Sequence, residues 1–233
     1  MKKIMFDDRR GLTQAVLTGR KTMTRRIIPE KYKTMVDAAA KDVLIVPLAC
    51  IPNGLSIKEF AEQWSKQSGR MRVVPVQDEP QIQYVEGKDK IMDVSRYQVG
   101  EEVAIAQKYS QIFTESDLSK RKGSLGDMIT GKAWDNKMFV QAAVMPHRIK
   151  MVDIKVEKLQ DITEEDCLAE GIIEYTVDLK GMPWVKVRYG FDGCEDTFSS
   201  AREAFAAMID KVSGRGTWDR NPWVFAYSFK LVK

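Results

Sequence analysis

Gly19-Arg20-Lys21-Thr22-Met23-Thr24-Arg25-Arg26 is the stretch from which the rest of the chain can be read. Just before it, Leu12, Ala15 and Val16 recur at helical spacing in a short amphipathic run, and Gly19 stands where a helix C-cap belongs. After it, residues 22–28 read as a strand, because Thr24, Ile27 and Ile28 are β-branched and Pro29 ends the run. A helix turning into a strand here lets Lys21 and Thr24 face one cavity. A lysine among arginines has a reason to lose its proton, since like charge disfavours the ammonium form. The octet therefore offers a base beside a hydroxyl nucleophile, ringed by groups that attract phosphate.

The bulk numbers limit the setting. At 233 residues the chain makes one large domain or two small ones. A net charge of +4 is only mildly basic, so it permits a nucleic-acid partner without arguing for one. Cys50, Cys167 and Cys194 show no CxxC spacing, which suggests neither a disulfide framework nor a zinc site and fits a reducing compartment. His147 is the only histidine, so a multi-histidine metal site is excluded and no metal is expected. No cofactor is expected either. Asp7, Asp8, Arg9 and Arg10 interrupt any apolar run near the start, so neither a signal peptide nor a membrane span is read, and the expected location is cytoplasmic.

Further along, residues 30–96 read as an insertion packed on the main domain. Within it, 43–46 reads as a strand, 57–64 as a short helix capped by Ser56, and 71–76 with 81–85 as a hairpin. Residues 97–109 read as core sheet, 120–132 as a mobile surface loop, and 139–144 and 149–159 as strands, the second with Val152, Ile154 and Val156 facing the core. Thr163 caps a helix that Gly171 ends, with Asp166 as the second half of a capping box. Residues 198–212 read as a helix with Ala201, Phe205, Met208, Ile209 and Val212 as its buried stripe. A turn through Trp218, Asn221 and Trp223 leads into a last strand that alternates Phe225, Tyr227, Phe229 and Leu231. Many short strands with few helices predict an α+β fold: a small mixed-sheet barrel with helices at its mouth.

Four segments together resemble the ASCH domain family. They are the GRKTMTRR octet; Tyr97 through Val103; the run from Ile154 to Ile172; and Trp218 through Phe225. The set is similar to the longer ASCH-type proteins encoded by phages and bacterial mobile elements. The resemblance implies a PUA-like β-barrel over 1–233, with 30–96 as an insertion, and RNA, a nucleotide or a modified nucleoside as the ligand. One bacterial branch of the family hydrolyses N4-acetylcytidine with a lysine, a threonine and a glutamate. By the resemblance these map to Lys21, Thr24 and Glu170.

Each candidate has a functional and an ordinary reading. Lys21 and Thr24 are either base and nucleophile or a solvated lysine beside a strand residue. Glu170 stands at a helix C-terminus, where a carboxylate opposes the dipole, and is either functional or an exposed surface acid. Arg20, Arg25 and Arg26 form either a phosphate rim or solvated charge, and strand alternation places Arg26 rather than Arg25 on the face of Thr24. Trp218 and Asn221 either stack on and read a base or build a turn, with Trp223 plugging the barrel end. Trp134 and Lys137, in a polar loop before a strand, could reach the cavity, but nothing in their spacing requires it. Three function classes follow: an RNA or nucleoside binding module, an amidohydrolase on an acylated nucleoside, and an accessory factor that binds a host protein.

Overall fold

The computed structural model describes residues 1–33, 36–37, 43–47, 56, 59, 63, 72–76, 94–114, 132–178 and 185–232. The expected helix over 57–64 and loop over 120–132 fall mostly outside these residues, and the second hairpin strand, 81–85, falls wholly outside them. The strands are β1 (Lys3–Ile4), β2 (Met23–Ile27), β3 (Val43–Pro47), β4 (Arg72–Val76), β5 (Glu102–Ile105), β6 (Arg148–Lys158), β7 (Ile173–Asp178), β8 (Val185–Gly190) and β9 (Trp223–Val232). The helices are α1 (Leu12–Leu17), α2 (Tyr109–Ile112), α3 (Glu164–Ala169), α4 (Ala201–Ser213) and α5 (Thr217–Arg220).

The fold is α+β, built on a five-stranded mixed sheet in the order β1-β5-β6-β9-β2. Only the β1–β5 pairing in it is parallel. Among the described residues the sheet is open, so the expected barrel is not closed by hydrogen-bonded strands. The two edges are short, β1 with two residues and β2 with five. A side chain links them instead: Arg26 Nη2, from β2, donates to the carbonyl of Met5, just past β1, at 2.6 Å. Phe6 then packs on Phe229 of β9 with ring centroids 5.8 Å apart, which holds the β1 end over the middle of the sheet.

β9 lies between β6 and the edge strand β2. Its alternation predicts one buried face, but Val224, Phe225, Ala226 and Tyr227 are all buried, because β6 and β2 flank it and both faces are covered. β6 departs from simple alternation for a different reason. Its register with β9 slips between Met151 and Asp153, so Val152 is an extra residue in the strand. The bulge lets Ile149 and Met151 face the core before it and Ile154 after it, while Val152, expected inside, is 43 % exposed.

Residues 139–144 are not a strand. Their backbone groups find partners outside any ladder: Lys3 Nζ takes the carbonyl of Val140 at 2.7 Å, the Gln141 N–H donates to the Tyr109 hydroxyl at 3.0 Å, and a 3-10 turn covers Ala142–Val144. β4 pairs with β3 in parallel; the 81–85 half of the hairpin expected with 71–76 lies outside the described residues. The β7–β8 hairpin had no sequence reading. Val36 is fully buried in the main core and Val94 packs against it, so both ends of the 30–96 stretch touch that core. Helix α4 starts at Ala201 rather than at 198, capped by Ser200 Oγ accepting from the Glu203 N–H at 3.1 Å, and Phe198 instead bridges to Tyr189. Among the described residues no helix is long and apolar enough to cross a membrane.

Candidate functional site

Lys21 lies where the ends of α1 and α3 meet the start of β2. Its N–H donates to the carbonyl of Ala15 at 2.9 Å, closing the C-terminal end of α1, and the Thr22 N–H donates to the carbonyl of Ala169 at 2.9 Å, tying β2 to the end of α3. Thr163 caps the other end of α3, its Oγ1 accepting from the Asp166 N–H at 3.1 Å. Glu170 is the C-cap residue, and Gly171 turns the chain away at a φ of +105°. A Cβ on Gly171 would meet Leu12 Cδ2 at 3.4 Å and Lys21 Cβ and Cδ at 3.6 Å, so the glycine lets α3 end directly against the lysine stem.

The Lys21 side chain runs into the interior. It is 2 % exposed, and Glu170 is 3 % exposed. Lys21 Nζ donates to the Glu170 carbonyl and to Glu170 Oε2, each at 2.6 Å. The other carboxylate oxygen, Oε1, lies 3.4 Å from Arg25 Nη1. Arg25 is also bound through Nε to Glu157 at 2.8 Å and through Nη2 to Asp166 at 2.6 Å. Burial works against the Arg25 cation, but Glu170 and Glu157 outweigh it, and its pKa rises. Burial pushes the Lys21 pKa down. Glu170 opposes this and the Arg26 and Arg25 charges reinforce it, leaving the ammonium below the ordinary lysine range.

A pocket of about 270 Å³ opens over this pair. Lys21, Thr24, Arg25, Arg26 and Glu170 supply its polar wall, and Phe6, Leu12, Phe205, Met208 and Ile209 an apolar one. Val212, expected in the buried stripe of α4, also lines the pocket and is 40 % exposed. Both Arg25 and Arg26 border the cavity, although alternation favoured only one. The volume lies at the small end of ligand sites, suited to one compact group rather than a chain.

The remaining candidates lie elsewhere. Arg20 turns away from the pocket to Asp192 Oδ2 and the Gly171 carbonyl, both at 2.8 Å. Trp218 packs edge-on against Phe205 with centroids 6.2 Å apart, under the Arg202 guanidinium. Asn221 holds a positive φ of 44°, and its Oδ1 accepts from the Gln160 N–H at 2.9 Å. Asn221 borders a separate cleft with Lys158, Arg220 and Trp223. His147 Nδ1 is 2.7 Å from Gln107 Oε1. Lys137 pairs with Asp8 at 2.8 Å and reaches the Phe6 carbonyl behind the pocket wall. Trp134 packs against the smaller apolar cluster around Tyr109 and Met145.

The sequence reading missed Glu157 and Asp166 as Arg25 partners. Asp166 had a signal: it stands four residues before Glu170, on the same helix face. Among the described residues, no group of three or more His, Cys, Asp or Glu side chains is placed to hold a metal ion. Comparison with protein-family models, curated proteins and solved structures found no match to this chain.

Proposed function

We propose that this is a binding protein of ASCH type for a nucleotide or modified nucleoside, with the ligand's polar edge over Lys21, Thr24 and Glu170. One observation supports the reading above the others: a buried ammonium–carboxylate pair forms the floor of a small, half-apolar pocket. A purely structural ion pair has no need of an open cavity above it. A nucleobase combines a flat apolar face with a hydrogen-bonding edge, as this pocket does. The open sheet, linked at its edges by Arg26 and Met5, stands for the PUA-like barrel in this reading, and a cytoplasmic setting suits such a ligand.

The pocket is too small for an RNA backbone track, and Arg20 and Arg25 already hold carboxylates. RNA would then be bound through a single nucleotide. The test is isothermal titration with cytidine, N4-acetylcytidine and a short RNA. Saturable nucleoside binding, weakened at least about tenfold in Lys21→Met, is the expected result. No binding of any of the three removes the reading.

A second reading, amidohydrolase, is favoured by the placement of Thr24 in the same pocket wall as the Lys21–Glu170 pair, where burial pushes the lysine pKa down. Neutral Lys21 takes the Thr24 hydroxyl proton, and the threonine oxygen attacks the amide carbonyl. The C–N bond breaks as Glu170 relays a proton to the leaving amine, and water hydrolyses the acyl-threonine to free acid and threonine. Release of cytidine and acetate from N4-acetylcytidine tests it.

A further inference from the structure

A second cavity of about 280 Å³ adjoins the Lys21 pocket, and Met5, Arg26 and Ile27 line both. Its charged lining is of one sign. Lys3, Arg26 and Arg96 border it, and its described lining residues include no carboxylate. The Lys21 pocket, in contrast, contains Glu170 and Asp7. Tyr97, Phe225 and Tyr227 form its aromatic wall.

The wall is held firmly. The Tyr97 and Tyr227 rings meet edge to face at 5.4 Å. Tyr97 OH donates to the Lys3 carbonyl at 3.0 Å, and Ser95 Oγ lies 2.8 Å from Tyr227 OH. The cations are held too. Lys3 Nζ donates to the carbonyls of Met138 and Val140 at 2.6 and 2.7 Å, which fixes the ammonium without neutralising it. Arg26 is tied by Nη2 to Met5, while its Nε is buried with no hydrogen-bond partner. A buried donor left unmet costs free energy, and an anion would relieve that cost. Burial and the Arg96 charge both lower the Lys3 pKa, as expected where like charges gather.

We propose that this cavity is a phosphate subsite, receiving the phosphate of a nucleotide whose nucleoside occupies the Lys21 pocket. Arg26, in the shared wall, touches both parts of the ligand. The inference rests on the nucleoside reading for the identity of the neighbouring group, but the cation-only lining stands independently of it. A terminal phosphate and a backbone phosphodiester of RNA present the same oxygens, so both fit the cavity.

The experiment is titration of the full chain, at low ionic strength, with inorganic phosphate, cytidine, cytidine 5′-monophosphate and a cytidine dinucleotide lacking terminal phosphate. The variant is Arg96→Ala, at an exposed position outside the Lys21 pocket. Wild type is expected to bind the monophosphate at least about tenfold more tightly than cytidine, as for one charge-assisted contact. The variant is expected to lose that preference and keep its cytidine affinity. A dinucleotide preferred over cytidine assigns the subsite to backbone phosphate, and a preference confined to the monophosphate assigns it to a terminal group. Equal affinity for cytidine and its monophosphate overturns the subsite and leaves the nucleoside reading standing. Inorganic phosphate binding that Arg96→Ala removes, without cytidine binding, keeps the anion site and removes the nucleoside reading. No binding of phosphate or monophosphate overturns the subsite.

Discussion

Lys21 Nζ meets Glu170 twice, at the backbone carbonyl and at Oε2, each at 2.6 Å. One ammonium therefore satisfies a carbonyl at the C-terminal end of α3 and neutralises the carboxylate of the same residue. Removing Lys21 leaves the buried Glu170 carboxylate without its ammonium. Lys21→Met is expected to cost about 3–5 kcal/mol, because Glu170 keeps only the 3.4 Å contact with Arg25. Glu170→Gln is expected to cost less, since Lys21 can shed its proton. The double variant should be more stable than the sum of the two losses predicts. Urea unfolding of all four proteins measures this, and additive losses would show that the pair is not coupled.

The same lysine gives a pH signature. Its folded pKa is depressed, so between that value and the unfolded value near 10.4 the unfolded chain binds the extra proton. Stability then rises with pH in that window, by up to about 1.4 kcal/mol per unit for this one group. Cys167 acts in the opposite sense: burial raises its thiol to about 12, so stability is lost above the ordinary thiol range. Subtracting the Lys21→Met curve from wild type isolates the lysine. A difference that is flat from neutrality to pH about 9.5 would contradict the depressed pKa.

Gly171→Ala tests how closely α3 approaches Lys21. The φ of +105° strains any L residue, and the new methyl meets Leu12 at 3.4 Å. A loss of about 1–3 kcal/mol is expected in thermal unfolding. Ligand affinity should fall with it, because the shift moves the Glu170 carboxylate. Unchanged stability would mean that the turn relaxes freely.

The sequence carried the α+β class and the residues that line one pocket, but not the strand pairing, for physical reasons. Lys21 and Thr24 stand out because a helix-to-strand junction leaves marks in local sequence, whereas Glu170 comes from the family resemblance, its place at a helix C-terminus adding only a slight signal. Alternation puts Arg25 on the face away from Thr24, yet an arginine is long enough to reach Glu170 from there. The bulge at Val152 leaves no such mark. A one-residue slip is a property of the β6–β9 pair, and nothing in 149–159 alone shows it. The open edge is likewise non-local, since whether β1 and β2 meet depends on chain far from both. Residues 139–144 misled because Phe139, Val140 and Val144 favour strands, while their hydrogen bonds go to Lys3 and Tyr109, distant in sequence.

Asn221 separates structural from ligand-reading roles in the last turn. Its positive φ and its bond to the Gln160 N–H both belong to the turn. Asn221→Ala should cost about 1–2 kcal/mol, and Asn221→Gly less, since glycine keeps the backbone conformation. Neither should alter nucleoside affinity, because Asn221 borders a different cleft from Lys21. An affinity loss in Asn221→Gly without a stability loss would make this residue part of the binding site.

Thr24→Val distinguishes hydrolysis from binding with little risk to the fold. Thr24 pairs with Tyr227 in the β2–β9 ladder, and valine keeps both the branched shape and the strand preference while deleting the hydroxyl. Lys21→Ala is a poorer probe, because loss of activity there mixes chemistry with the cost of an unpaired buried carboxylate. If the threonine oxygen is the nucleophile, Thr24→Val should lower cytidine release from N4-acetylcytidine by at least about a thousandfold, with nucleoside affinity held within a fewfold. If the pocket only binds, neither protein turns the substrate over, and the two affinities agree. Turnover that survives the substitution would assign the attack to water, with Lys21 and Glu170 as acid and base and Thr24 as a wall.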